Sequence, residues 1–348
     1  IIMFLISCGL TEVLFFCLSI LSDLPMPLVA IQLLWINVVT DGIQDFALSF
    51  EKAEKNVMVQ LAVLGSEFYR PGHFRRDVYH DLDHPNNRET LDAIRGWSKS
   101  GAMMRFWDYW KLYYPEVLFP ATMVSALPRN IRIYAENNCR MYMAENQFGS
   151  LTLALPNFSE LAHYLGSKLL IDPKQDEKAI IADFMQHYYG AGGKYMQQIL
   201  DMITAGQAAE PGKPGLVGFN ANYLTKDFLL TADRIFDEAE KAAADNAVYL
   251  LHIGRERVAF DSTMLFLDRR LKLNIDRKKV LFRLYKNEKN ALLYMNSQNL
   301  HPAIVKWIDE KYSRAMAGLP IPEQFAGKTV WDFPWYEIRN KAWTSKWV

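Results

Sequence analysis

The chain has 348 residues, of which 50% are hydrophobic, and it carries 39 basic and 39 acidic side chains. Zero formal net charge with no basic run excludes a nucleic-acid binder held by backbone electrostatics. Three scattered cysteines, Cys8, Cys17 and Cys139, are too few for a disulfide framework and form no CxxC pair for zinc. This length suits two domains or one large barrel, and Ile1 in place of Met reads as the interior of a longer reading frame.

Composition shifts near residue 58. "IIMFLISCGLTEVLFFCLSIL" (1–21) holds a single charge, Glu12, and at ~1.5 Å per residue it can cross a hydrocarbon core of ~30 Å. No basic region precedes it and no A-x-A site follows, which argues against a signal peptide. "SDLPMP" (22–27) turns the chain, because its prolines continue neither helix. Residues 27–48 form the return span of a predicted transmembrane hairpin, and Glu51, Lys52, Glu54 and Lys55 mark its exit from lipid.

Asn37, Thr40, Asp41, Gln44 and Asp45 share one face of the return span, and Glu12 lies mid-span opposite. A charge at membrane depth costs ~2.5–3.5 kcal/mol, so such a cluster reads as a cation or proton site. Its hard oxygens suit a small cation, and Gly42 would let the helix loosen beside it. The alternative is an amphipathic interfacial helix with a solvated polar face. "GLTEVLFF" with "LPMPLVAIQLLWINVVTDGIQDFALSFEKAEKNVM" resembles the fifth and sixth transmembrane helices of cation-transporting P-type ATPases over residues 1–58. The resemblance implies cation coordination by Glu12, Asn37, Thr40 and Asp41, with the cation unspecified. Gly9 stands where that pattern has Asn, and Gln44-Asp45 replaces Pro-Ala. The phosphorylated-aspartate motif DKTGT and the hinge motif TGDN of that family are absent from all 348 residues.

Residues 59–348 follow soluble α/β and then α rules. "VQLAVLG" (59–65) predicts a strand, "NNRETLDAIRGWSKSG" (86–101) a helix capped by Asn87 and stopped by Gly101, and "AMMRFWDYW" (102–110) a strand. "PRNIRIYAENN" (128–138) and "CRMYMAENQF" (139–148) add a helix and a third strand, so the pairing should be parallel. From residue 157 the pattern is helical, interrupted by the Gly/Pro loop "AAEPGKPGLVGFN" (208–220), and no heptad repeat is sustained. The expected organisation is a transmembrane hairpin (1–58), the last strands of a partial (β/α) barrel (59–156) and an all-helical C-terminal domain (157–348).

Parallel α/β sheets keep their chemistry at the carboxyl ends of strands. Asp108 and Glu145 occupy that place on consecutive strands ~4.8 Å apart, where two carboxylates could share a glycosidase-like pocket as the catalytic pair. Trp107, Tyr109, Trp110 and Tyr142 offer flat faces for sugar rings, and Arg76 reaches toward hydroxyls or a sugar carboxylate. The same residues also admit a structural reading, with Asp108 capping a loop, Glu145 paired with Arg140 or Arg105, and the aromatics packed in a core. His80, Asp83 and His84 have loose metal-ligand spacing in a turn-forming polar loop and read as solvated surface, so no metal or cofactor is expected in this part. His163, His187 and His252 read as structural.

"RGWSKSGAMMRFWDYW", "NNCRMYMAENQFGS" and "ELAHYLGSKLLIDPKQDEKAIIADFMQHYYGAGGKYMQQIL" resemble a bacterial family of unknown function, domain of unknown function 4838, related to α-glucuronidases and other barrel glycoside hydrolases. That resemblance implies a glycan or uronic-acid partner, with base-side carboxylates at Asp108 and Glu145 and a proton donor on an earlier strand that this chain lacks. Topology would leave the larger part cytoplasmic beneath a membrane anchor at 1–48, whereas the family suggests work outside the cytoplasm. The expectation is therefore a chimeric fragment joined near Met58.

Overall fold

The structure is a computed structural model that describes residues 58–63, 76–110, 119–145, 157–210 and 221–295, with Leu21 and isolated positions between 306 and 317. The hairpin expected over 1–48 falls, Leu21 apart, outside the described residues, as do Glu12, Asn37, Thr40 and Asp41. Among the described residues no helix is long and apolar enough to cross a membrane. All described elements belong to one compact unit, Met58–Lys99 with Met103–Val348.

Strands β1 (Met58–Ala62), β2 (Met103–Tyr109) and β3 (Cys139–Glu145) form one parallel sheet in the order β1-β2-β3. Helix α1 (Arg88–Lys99) connects the first pair and α2 (Leu127–Glu136) the second. Each β-α-β step matches the alternation of patterns in the sequence. The described strands number three and remain an open sheet, so the barrel is not seen among the described residues. Met104 pairs with Cys139 and Arg105 with Met141, a one-residue slip that leaves Arg140 unmatched before the register resumes at Phe106 and Tyr142.

Alternation in β2 decides which side of the sheet is covered. Met104 and Phe106 are fully buried in one cluster with Leu82, Leu91 and Ile94 and with Ile133 and Tyr134 of α2. The Phe106 and Tyr134 rings lie 4.5 Å apart. Arg105 and Trp107, one residue out of phase, point to the opposite face and are half-buried. Gly101 adopts φ +82° after α1 and turns the chain into β2, a conformation that a side chain resists.

Six longer helices follow: α3 (Ser159–Ile171), α4 (Glu177–Tyr189), α5 (Gly193–Ala208), α6 (Lys226–Ala242), α7 (Ala247–Leu271) and α8 (Arg277–Met295). Asp176 caps α4, Thr225 caps α6 and Asn246 caps α7, each accepting backbone N–H groups of the first turn. Their apolar faces form one cluster that includes Leu161, Leu165, Tyr189, Ile199, Phe236 and Phe260, and Val78, Tyr109 and Trp110 join it.

Two buried polar centres hold this body together. Glu256 of α7 accepts Asn157 Nδ2 (3.0 Å), the Phe158 N–H (2.9 Å) and the Tyr189 hydroxyl (3.1 Å). It thereby serves the first turn of α3, where Phe158 adopts a left-handed φ of +60°. Arg257, its side chain fully buried, donates to Asp233 (2.5 Å) and Asp237 (2.6 Å) of α6. Arg283 of α8 joins Asp261 and Asp233. Burial opposes charge on Arg257, but the facing carboxylates, Glu240 foremost, hold its pKa above the ordinary value.

Candidate functional site

The carboxyl ends of β2 and β3 carry two separate arrangements, one on each face. On the covered face, Asp108 is fully buried and forms an ion pair with Arg76, which is 1% exposed. Arg76 also donates to the carbonyl of Val63 just past β1 (3.3 Å). The Tyr142 hydroxyl donates to Asp108 Oδ2 (2.8 Å) and accepts from the Trp110 indole N–H (2.8 Å), while the Tyr109 N–H donates to Asp108 Oδ1 (2.9 Å). Burial alone would lower the Arg76 pKa, but Asp108 and the Tyr134 and Tyr142 hydroxyls hold it above its usual value. Burial, then the Asp108 charge, pushes both tyrosines well up. A carboxylate so surrounded has its lone pairs engaged by the protein.

Trp110 extends this network into the helices. The edge of its six-membered ring abuts Gly166 of α3, where a Cβ would come within 2.1 Å of the ring, and it sits 5.7 Å from the His163 ring. Trp110 is therefore a packing residue between β2 and α3, and Arg76, Asp108 and Tyr142 form the polar lock behind it.

Glu145 lies on the other face. Its register partner is Tyr109, whereas the partner of Asp108 is Ala144, so period-two alternation sends the two carboxylates to opposite sides of the sheet. The predicted shared pocket is thereby corrected: Asp108 and Glu145 do not form a pair. Glu145 Oε2 instead accepts the Trp107 indole N–H at 2.8 Å, and the Trp107 and Tyr109 rings stack 6.2 Å apart. Burial, followed by the Glu145 and Asp108 charges, raises the Tyr109 hydroxyl to about 12, so it remains a hydrogen-bond donor at neutral pH. Arg105 shares this face by register and contacts Met143.

The loop after β1 holds a third arrangement. Asp77, His80 and His84 each bring one ligand-type atom within 4.8 Å of the others. Asp83, whose spacing to the histidines is loose, turns away to Arg129 and Arg95. Sequence reasoning also missed Asn87 and Asn130, buried residues that fold this loop: Asn87 takes the Asp77 N–H (2.7 Å), and Asn130 takes the Leu82 N–H (2.8 Å). The dipeptide "NN" at 86–87 was legible only as a helix cap, since its partners are backbone groups up to ten residues away.

Residues 35–201 match a family described as domain of unknown function (DUF4838). That match crosses Met58, contains the whole sheet and both arrangements at its carboxyl edge, and ends within α5. A stretch of 57 residues is 42% identical to a calcium-transporting ATPase of Bacillus subtilis (strain 168). It spans 16% of this chain and 6% of that protein. No solved structure matches.

Proposed function

We propose that the chain carries a glycoside-hydrolase-like carbohydrate-active domain whose sugar-facing surface is the half-buried Trp107–Glu145 edge, with the buried Tyr109 ring packed behind it. One observation carries the reading: a carboxylate at the carboxyl end of a parallel strand, held by the indole N–H of a half-buried tryptophan. Flat apolar faces suit the C–H faces of a pyranose, and an oriented carboxylate accepts from its hydroxyls. Glu145 is the site carboxylate; Asp108 holds the sheet edge. With one carboxylate on this face among the described residues, binding is the activity assigned to these residues, and hydrolysis would require a second acid from elsewhere. Titration of uronic-acid oligosaccharides into the protein, followed by tryptophan fluorescence, tests the reading. Glu145→Gln and Trp107→Phe should each weaken binding at least ~10-fold, equivalent to ~1.4 kcal/mol. Equal affinity for wild type and both variants would remove the site.

The identity to the calcium-transporting ATPase favours a second reading for the first part of the chain. There Glu12, Asn37, Thr40 and Asp41 supply oxygens to a cation within a membrane hairpin. Cation-dependent protection of residues 1–58 from proteolysis in vesicles supports it; identical cleavage with and without Ca2+ argues against it.

A further inference from the structure

We propose that Asp77, His80 and His84 form a binding site for a zinc-class divalent transition-metal ion, a site independent of the glycan face. Asp77 is fully buried, and His80 is 15% exposed at its side chain. Among the described residues the Asp77 carboxylate accepts from the Tyr79 N–H and the Asn86 amide and contacts His80 Nδ1, and neither Arg nor Lys pairs with it. A buried carboxylate in that position gains from a cation.

The ligand atoms converge. Asp77 Oδ2 and His80 Nδ1 lie 2.8 Å apart, joined by a hydrogen bond whose proton a cation would displace, and a small opening would reach the ~3.3–3.6 Å separation of neighbouring ligand atoms around a tetrahedral ion with bonds of ~2.0–2.2 Å. Asn86 occupies the approach: its side-chain amide donates to Asp77 Oδ2 (2.6 Å) and its backbone N–H to His84 Nδ1 (3.3 Å). Two of the three ligand atoms are thus held by protons of one small residue, which a cation can displace. The His80 and His84 rings stack 3.9 Å apart at 19°. The two rings are close enough to offer one nitrogen each to a single ion.

The frame is set before any ion arrives. Asn87, 1% exposed, accepts the Asp77 N–H and donates to the carbonyls of Asp77 (2.9 Å), Asp81 (2.8 Å) and His80 (3.3 Å). This closes residues 77–87 into a ring around one amide, so the ligands are not a solvated turn. Two imidazoles and one carboxylate match zinc, cobalt or nickel, and three protein ligands leave a position for water.

The test uses the full chain, purified without a polyhistidine tag and stripped with chelator. It is titrated with Zn2+ by calorimetry and with Co2+ by visible absorption. One equivalent should bind with a tetrahedral Co2+ spectrum, and thermal stability should rise with free Zn2+ as linkage requires. Asp77→Asn, His80→Gln and His84→Gln should each weaken binding by ~10–100-fold, whereas His187→Gln, on the exposed side of α4, leaves it unchanged. If Asp77→Asn unfolds, the two histidine variants carry the test. Absence of a one-to-one complex, or equal affinity in the His80→Gln/His84→Gln double variant, overturns the proposal.

Discussion

Replacing Asp108 with Asn preserves the shape of a buried side chain and removes its charge. Arg76, 1% exposed, would then retain the Val63 carbonyl at 3.3 Å and lose its carboxylate. Its Nε has no hydrogen-bond partner among the described residues even in the native arrangement. Breaking a buried pair by removing one partner costs ~3–5 kcal/mol, because the other charge stays uncompensated. Typical domain stabilities are ~5–15 kcal/mol, so this single change should bring the protein close to its unfolding threshold. Urea unfolding at pH 7, followed by tryptophan fluorescence, measures it as a lowered midpoint with unchanged slope. Arg76→Met combined with Asp108→Leu should recover most of the loss, since apolar replacements of buried pairs are often neutral. A cost below ~1 kcal/mol for Asp108→Asn, with glycan binding abolished, would refute the assignment of Asp108 to structure and return it to the site.

Gly166→Ala places a methyl group within 2.1 Å of the Trp110 ring and should cost a net ~1–2 kcal/mol despite the better helix propensity of Ala; unchanged stability in calorimetry would mean that the indole does not rest on α3. Asn87→Ala leaves three carbonyls and one N–H of the 77–87 loop unserved and should cost at least ~2 kcal/mol, measured by chemical denaturation. Burial lowers the pKa of His252, which stacks 3.7 Å from Tyr188 and uses its Nδ1 on the Tyr188 carbonyl, and burial lowers that of His163 as well. The unfolded chain takes up these protons near pH ~6.5 while the folded chain resists them, so stability is complete above that pH and declines as pH falls through it. The slope is at most ~1.4 kcal/mol per pH unit for each histidine, and urea midpoints from pH 8 to 5 should flatten in His252→Gln. Sequencing across codons 50–70 from independent DNA tests the expected join near Met58; a continuous reading frame there removes the chimera.

Periodicity made the alternation of strands and helices in 58–145 legible, because β2 is a short apolar-rich run and "PRNIRIYAENN" changes to helical spacing. Parity at the strand ends was not legible. Asp108 and Glu145 both fall at the carboxyl ends of consecutive strands, but the one-residue slip at Met104/Arg105 shifts the register so that Glu145 meets Tyr109. A bulge leaves no composition signal that alternation can detect. The start of α7 was also hidden. The helix begins at Ala247, a boundary that the continuous helical pattern after residue 220 did not mark, because it buries His252, Glu256, Arg257 and Asp261 among its apolar residues and so lacks a clean amphipathic stripe. The candidate metal ligands escaped for a related reason: His80 and His84 were visible as a spacing, but their acid partner is set by Asn87, whose role is purely tertiary.

The seat of Trp110 on Gly166 has a practical consequence for anyone dividing the chain. Residues on both sides of position 157 supply a single apolar interior, with Tyr109 and Phe119 contributing from one side and Leu161, Leu165 and Ile199 from the other. A polypeptide beginning at 157 would present that interior to water, and Glu256 would lose the Asn157 side of its clasp if the cut fell one residue later. Expression of the helical half should therefore yield aggregate, whereas a piece starting ahead of β1 keeps the indole in place and should stay in solution.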